Sequence, residues 1–286
     1  MRVMVTGALG NVGRYVLSNL INMGEQVVAA DIDLDKLNSM YGSIHQVKSV
    51  YFDFTNIETF HTALQEVDRV FLMRPPHLGK PEDLLPFVRA ISEARIKLVS
   101  FLSLMGVENN PVPPHHKIEK FIERHNIPYA HIRPGFFMQN ISGVHALEIK
   151  EQNQIFIPAG KSRTSFIDAK DIGLAIATVL HSPKKYKNTA HTITGPESLD
   201  YYQIAEILSD VLGRKITYVK PSYLKYRRIY IKNRGLDKTY VNVTVMLYFM
   251  TRMGTAKYVT DEFEKLTGKK PRTFKEFALD NIKVWQ

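Results

Sequence analysis

The opening of the chain constrains it most. Arg2-Val3-Met4-Val5-Thr6 has the make-up of a buried strand and runs directly into Gly7-Ala8-Leu9-Gly10-Asn11-Val12-Gly13. A helical pattern over Asn11–Met23 follows at once. Between a strand and a helix, three glycines at this spacing each have a physical use. Gly7 lets the chain turn off the strand, Gly10 lets backbone approach a pyrophosphate, and Gly13 lets the helix lie close to the strand. The helix start aims free N–H groups and a positive dipole end at the same place. Thr6, Gly7, Leu9, Gly10, Asn11, Val12 and Gly13 are therefore expected to cradle the phosphates of a dinucleotide.

The rest of the chain extends the same pattern. Strand-like runs at Gln26–Asp31, Val47–Phe52, Arg69–Met73, Lys97–Ser103 and Tyr129–Arg133 alternate with helical stretches at Asp33–Met40, Ile57–Leu64, Glu82–Ala94 and His115–His125. Such alternation implies right-handed crossovers and a parallel sheet covered on both faces. The expected class is α/β: a Rossmann-type doubly wound sheet over residues 1–140, with parts of 160–195 packing back on it. Residues 141–286 form a smaller, mostly helical substrate lobe. Helices are expected there at Asp171–His181, Tyr201–Leu212, Thr260–Leu266 and Thr273–Asn281, the last two begun by capping threonines. No stretch reads as a signal-peptide core or a bilayer span, so the expectation is a soluble, cytoplasmic protein with no membrane partner. The absence of cysteine excludes disulfides, thiolate metal sites and a cysteine nucleophile.

Further candidates sit at strand ends. Asp31 ends the second strand, where a carboxylate accepts from ribose hydroxyls and repels a 2′-phosphate; Ile32 follows instead of a cation. That favours NAD(H) over NADP(H), with Arg14 and Lys36 as the cations able to reverse the preference. The alternative is that Asp31 caps the next helix. Asp53 and Phe54, after the third strand, are placed to meet adenine, or Asp53 is a turn residue. Met73 and Arg74 close the fourth strand, near the point where strand order reverses.

The glycine signature resembles that of the short-chain dehydrogenase/reductase superfamily, in its extended and atypical branch. Ile127-Pro128-Tyr129-Ala130-His131-Ile132-Arg133-Pro134-Gly135-Phe136-Phe137, Phe166-Ile167-Asp168-Ala169-Lys170-Asp171-Ile172-Gly173 and Ile193-Thr194-Gly195-Pro196-Glu197 look like the NmrA-like subgroup, as does Leu266-Thr267-Gly268-Lys269-Lys270-Pro271. The resemblance implies binding of NAD(P)(H), with Pro134 beside the cofactor. It covers quinone and azo-dye reductases, phenolic ether reductases and dinucleotide-binding regulators that catalyse nothing. The superfamily's active site pairs a serine with Tyr-x-x-x-Lys. Ser103 matches the serine. None of the 14 tyrosines has a lysine four places on. Pro111 stands at the tyrosine place and His115 at the lysine place.

His115 is thus the candidate proton donor, expected to titrate near neutral pH. The alternative is a capping or surface histidine. No metal site is expected, because His115 and His116 are adjacent and point apart. Between residues 214 and 275 there are 16 Lys/Arg against 4 Asp/Glu, concentrated around Lys220–Arg234. The interleaved tyrosines offer a stacking surface for bases; a helix with a solvated basic face is the plainer reading, and a nucleic-acid partner is not expected. Met246, Met250 and Met253 read as core or as the wall of a substrate pocket. The first functional reading is an NAD(P)H-dependent reductase of a small conjugated acceptor, held in a cleft between the lobes. Its rival is a non-catalytic NAD(P) sensor acting on a protein partner. A nucleoside-diphosphate-sugar epimerase is disfavoured by the missing pair.

Overall fold

The computed structural model describes all residues from 1 to 286. Its strands are β1 (Arg2–Thr6), β2 (Val27–Asp31), β3 (Val47–Tyr51), β4 (Val67–Leu72), β5 (Leu98–Leu102), β6 (Tyr129–Pro134), β7 (Phe136–Phe137), β8 (Gln154–Phe156), β9 (Thr164–Ile167), β10 (Thr189–Ile193), β11 (Ser198–Leu199) and β12 (Thr217–Val219). Its α-helices are α1 (Gly13–Asn22), α2 (Leu34–Tyr41), α3 (Glu58–Leu64), α4 (Leu85–Glu93), α5 (Pro114–Arg124), α6 (Gln139–Ser142), α7 (Ala146–Gln152), α8 (Ala169–His181), α9 (Tyr201–Leu212), α10 (Tyr223–Arg228), α11 (Lys238–Arg252), α12 (Glu262–Thr267) and α13 (Phe274–Asp280).

The chain divides into two compact units. The first comprises Met1–Pro134, Ala169–Ile193 and Glu262–Lys269. Its seven-stranded sheet runs β10-β6-β5-β4-β1-β2-β3, every pairing parallel. The chain moves from β1 outward to β2 and β3, then returns to β4 on the other side of β1. Strand order therefore reverses between β1 and β4, so a crevice opens at their carboxyl ends. Val3, Met4, Val5 and Thr6 are fully buried, as a strand covered on both faces requires. On one face Phe52, Phe54, Phe60 and Phe87 pack edge-to-face and tilted, with centroids 4.7–5.8 Å apart. Elsewhere α8 lies so close to α1 that a Cβ at Gly173 would sit 2.4 Å from that of Tyr15.

The second unit comprises Gly135–Asp168, Thr194–Asp261 and Lys270–Gln286. It has a three-stranded sheet, β11-β9-β7, and a two-stranded one, β12-β8. Its core is aromatic: Tyr201, Tyr226, Tyr230, Phe274, Phe277 and Trp285 are essentially unexposed. The Trp285 indole N–H donates to the Ile141 carbonyl at 3.2 Å, so even the largest ring has its polar atom met.

Several expected boundaries shift for local reasons. The fourth strand runs Val67–Leu72 rather than Arg69–Met73, with a register irregularity at Arg2/Val3 opposite its start. The stretch expected as one helix at Glu82–Ala94 is a 3-10 turn, Pro81–Leu84, followed by α4 with Pro86 in its first turn. Thr273 caps α13 through a reciprocal pair with Glu276. Thr260 stands two residues ahead of α12, and its N–H is taken by Thr194 Oγ1 at 3.0 Å.

One expectation about side chains fails: Met246 and Met253 are not core, being 59% and 69% exposed. In the basic segment Tyr226 and Tyr230 point inward and stack on each other at 4.1 Å, which leaves the solvated basic face as the reading that fits. The backbone there widens from α10 into one π-helical turn, Ile229–Asn233.

Candidate functional site

The sheet's carboxyl edge in the first unit gathers most of the predicted site residues. Gly7 has φ +61°, a left-handed conformation that favours glycine, and a Cβ there would press Met73 Sδ at 3.2 Å. At Gly13 a Cβ would lie 2.0 Å from the Gly7 carbonyl oxygen, so no side chain fits between loop and helix. A Cβ at Gly10 would meet the same oxygen at 3.0 Å. The Gly10 N–H already donates to the Gly7 carbonyl at 2.9 Å and closes the turn. The N–H groups of Asn11, Val12 and Gly13 have no partner within the chain. Three free donors at the head of α1, under a floor without side chains, fit a dinucleotide pyrophosphate.

Thr6 has a different job from the one expected. Its buried hydroxyl donates to the Phe71 carbonyl at 2.9 Å and accepts from Met73 N–H at 3.2 Å, tying the ends of β1 and β4 together. Leu9 also departs from expectation: its N–H donates to Asp31 Oδ2 at 3.0 Å and is not free for a phosphate. The other Asp31 oxygen accepts from Ile32 N–H at 2.9 Å. Asp31 is not the helix cap; Asp33 is, accepting from Lys36 N–H. The Asp31 carboxylate is thus locked against the glycine loop with lone pairs to spare. Asp53 Oδ1 accepts from Thr55 N–H and Thr55 Oγ1, both at 2.8 Å, and these bonds hold its carboxyl below the usual range. That is turn chemistry. Phe54 beside it is buried in the aromatic cluster.

Across the crevice lie Arg74, Ser103, His115 and Pro134. Arg74 Nη1 donates to the Leu78 carbonyl at 2.6 Å and the Pro75 carbonyl at 3.3 Å, while its Nε is buried with no partner. Ser103 follows β5; its hydroxyl is buried without a hydrogen bond of ordinary geometry, close enough to Glu119 to help keep that carboxylate ionised. The Pro134 carbonyl accepts from Met105 N–H at 3.0 Å and fixes the loop after β5. His115 opens α5 as its second residue, with its ring 5.9 Å from that of Phe101. Its Nδ1 is buried with no partner. Neither alternative for His115 holds, since it is not a surface residue and makes no cap. The expectation that it titrates near neutrality also fails. Burial first, then the positive charge of Arg74, push its pKa down to about 4, against a small opposing pull from Glu119. His116 points elsewhere, with Nδ1 2.9 Å from the Val107 carbonyl.

Sequence reasoning missed the ion cluster behind Ser103. Arg133 grips Glu119 with two bonds, 3.0 and 2.7 Å, and lies 3.4 Å from Glu108. Glu123 and the fully buried His131 are 3.5 Å apart, and their contact is the main cause that brings the Glu123 pKa to about 2. Glu119, Glu123 and His131 bring ligand-type atoms within 4.8 Å of one another, but a guanidinium already fills the cationic place beside Glu119. The i, i+4 spacing of Glu119 and Glu123 on a helix was the available signal. No helix is long and apolar enough to cross a membrane.

The NmrA-like family profile matches residues 1–278. An uncharacterized oxidoreductase of Bacillus subtilis (strain 168), YesF, is 30% identical over 288 residues, covering 99% of this chain and 96% of that protein. The NAD(P)H azoreductase of Xenophilus azovorans is 26% identical, covering 96% of each. The NADPH-dependent quinone oxidoreductase QOR2 of Escherichia coli, solved with NADPH, superposes with a TM-score of 0.87 at 20% identity, covering 98% of this chain and 99% of that one. At that identity the likeness shows the fold.

Proposed function

The chain belongs to the NmrA-like family, and from that premise we propose that it is an NAD(P)H-dependent reductase of a small conjugated acceptor such as a quinone. The observation that carries this reading is the cradle of three unpartnered N–H groups at Asn11, Val12 and Gly13 beneath the glycine turn. When bound there, the dinucleotide supplies the hydride. The chain's own part is to hold the phosphates on α1, fix the ribose against Asp31 and surround the reacting end with Met73, Arg74, Ser103 and His115. The names of the azo and quinone reductases among its relatives point to the same class of acceptor.

Asp31 favours NAD(H) over NADP(H) in this reading, because a carboxylate at the end of β2, here tied to the Leu9 and Ile32 N–H groups, would accept from ribose hydroxyls and repel a 2′-phosphate. Arg14, whose guanidinium lies 4.8 Å over the Tyr15 ring, and Lys36 are the cations able to reverse this. Oxidation of NADH and NADPH at 340 nm across a quinone panel tests both points. The expected result is turnover with NADH bound at least about tenfold tighter, or about 1.4 kcal/mol. Tight NADH binding with no acceptor reduced would instead favour a sensor, the reading that the missing Tyr-x-x-x-Lys pair independently suggests.

A further inference from the structure

Three arginines of the first unit reach into its interior, and one lacks an anion. Arg69 on β4 pairs with Glu25 at 2.8 Å and Asp68 at 3.2 Å, and also donates to the Leu180 carbonyl. Arg133 on β6 has Glu119 and Glu108. Arg74 has two backbone carbonyls and no carboxylate, and burial alone lowers its pKa. A half-buried guanidinium without a counter-charge is costly, and its Nε is a buried donor left unmet. A second unmet atom, His115 Nδ1, stands at the same end of the sheet. His115 lies over Phe101, Phe101 pairs in register with Leu72, and Arg74 is two residues beyond Leu72. Arg74 is also close enough for its charge to act on the His115 ring. Unmet buried polar atoms occur elsewhere in the chain, but here two of them accompany a guanidinium charge without an anion, and a ligand would meet all three needs at once.

We propose that Arg74 and His115 form an oxyanion receptor, with Arg74 Nε and His115 Nδ1 donating to the oxygen of a phenolate-like acceptor. This rests on the reductase reading and gives the acceptor a chemistry: a carbonyl conjugated to the carbon that takes the hydride. In the reaction a C–H bond of the dihydronicotinamide breaks and a bond to hydrogen forms on the acceptor. An electron pair moves through the conjugated system onto the carbonyl oxygen. The nicotinamide is oxidised, the acceptor is reduced, and solvent later supplies one proton to the oxyanion. Arg74 meets the charge as it develops. His115 enters neutral, in the tautomer with its proton on Nδ1, and so offers a donor without adding a second positive charge. Glu119 is the other charged group acting on His115, and its pairing with Arg133 keeps it from competing for the Arg74 site.

The probe is 4-nitrophenol, a non-reducible mimic whose ionised form absorbs in the visible. Titrated with the whole protein, with and without NAD⁺, it should ionise about one pH unit lower when bound, as for an acid beside a guanidinium. Arg74→Gln should remove that shift, and Arg74→Lys should keep part of it. With 1,4-naphthoquinone, Arg74→Gln should lose about 10²-fold in kcat/KM, while NADH affinity stays within about threefold, or about 0.65 kcal/mol. Circular dichroism checks that each variant folds. Two results overturn the proposal: a phenol that ionises in the parent as it does in buffer, or an Arg74→Gln that weakens NADH while leaving the acceptor KM unchanged. The second would make Arg74 a partner of the dinucleotide. If the phenol shift and its loss in Arg74→Gln appear but no quinone is reduced, the oxyanion receptor stands and the reductase reading falls.

Discussion

His145 of the second unit and His115 of the first, the one fully buried and the other half-buried with its Nδ1 out of solvent, are set in opposite ways. His145, in the second unit, has both ring nitrogens bonded: Nδ1 to Tyr230 Oη at 2.8 Å and Nε2 to Tyr248 Oη at 2.6 Å. Tyr230 donates its proton to Glu148 at 3.2 Å, so it must accept from His145 Nδ1–H, and Nε2 then accepts from Tyr248. Arg234 neutralises Glu148 at 2.8 Å. Burial and the Arg234 charge bring the His145 pKa down to about 3. Both ring nitrogens of His145 thus have partners. His115 is held neutral by the same two causes, burial and a neighbouring arginine, yet its Nδ1 is unmet. Depressed pKa therefore does not separate the two, and hydrogen-bond satisfaction does. A closed network stiffens a core, whereas an open one keeps capacity for a ligand.

The largest test of this contrast is stability. His145→Ala strips partners from two buried phenols and opens a cavity, and should cost about 3–4 kcal/mol in urea unfolding. His115→Ala removes an atom that bonds nothing and should cost within about 1 kcal/mol. Equal losses would break the contrast. pH sharpens it. Both histidines stay neutral in the folded protein, while the unfolded chain takes up protons below about pH 6.5. Stability from each is complete above that value and falls as pH drops towards about 4 for His115 and about 3 for His145. His145→Phe should flatten part of that fall. A second consequence is that turnover should show no His115 titration between about pH 6 and 8, the window in which an unshifted histidine would titrate.

Next in size is the glycine loop, where function and stability should come apart. Gly10→Val places methyl groups in the proposed phosphate cradle and should weaken NADH at least about 100-fold, or about 2.7 kcal/mol. Fluorescence titration reads this, and far-ultraviolet dichroism should be unchanged. Full affinity in a folded Gly10→Val would remove the phosphate cradle. The smallest effect is expected at Met246. Because it is 59% exposed, Met246→Gln should change stability by no more than about 0.5 kcal/mol. A larger loss would mean that this face is covered in solution.

Local chemistry made much of the fold legible. The strand–glycine–helix opening, the Thr273 cap and the alternation of β1 to β6 with helices depend on neighbours within a few residues, and sequence records those directly. Asp31 stood out in the sequence as a candidate, but its lock on Leu9 spans 22 positions and left no local trace. His115 was found by its place relative to a missing lysine, and its environment was misjudged. Neighbours in the chain say nothing of Phe101 beneath it or Arg74 beside it. Met246 and Met253 are not core, and a methionine-rich helical stripe looks the same in sequence whether a partner covers it or not.

Sequence alone determined the class of fold, the glycine turn between β1 and α1 and the family, since each rests on residue type at fixed spacing. Tertiary structure alone decided which buried polar groups are satisfied. Arg69 and Arg74 stand five residues apart and read alike, and only the first meets carboxylates, supplied by Glu25 from 44 positions away and by its neighbour Asp68. His145 and His115 differ through Tyr230 and Tyr248, which lie 85 and 103 positions from His145. Charge and hydrogen bonding act over a few ångströms of space, and which side chains share that space is settled only when the strands and helices pack.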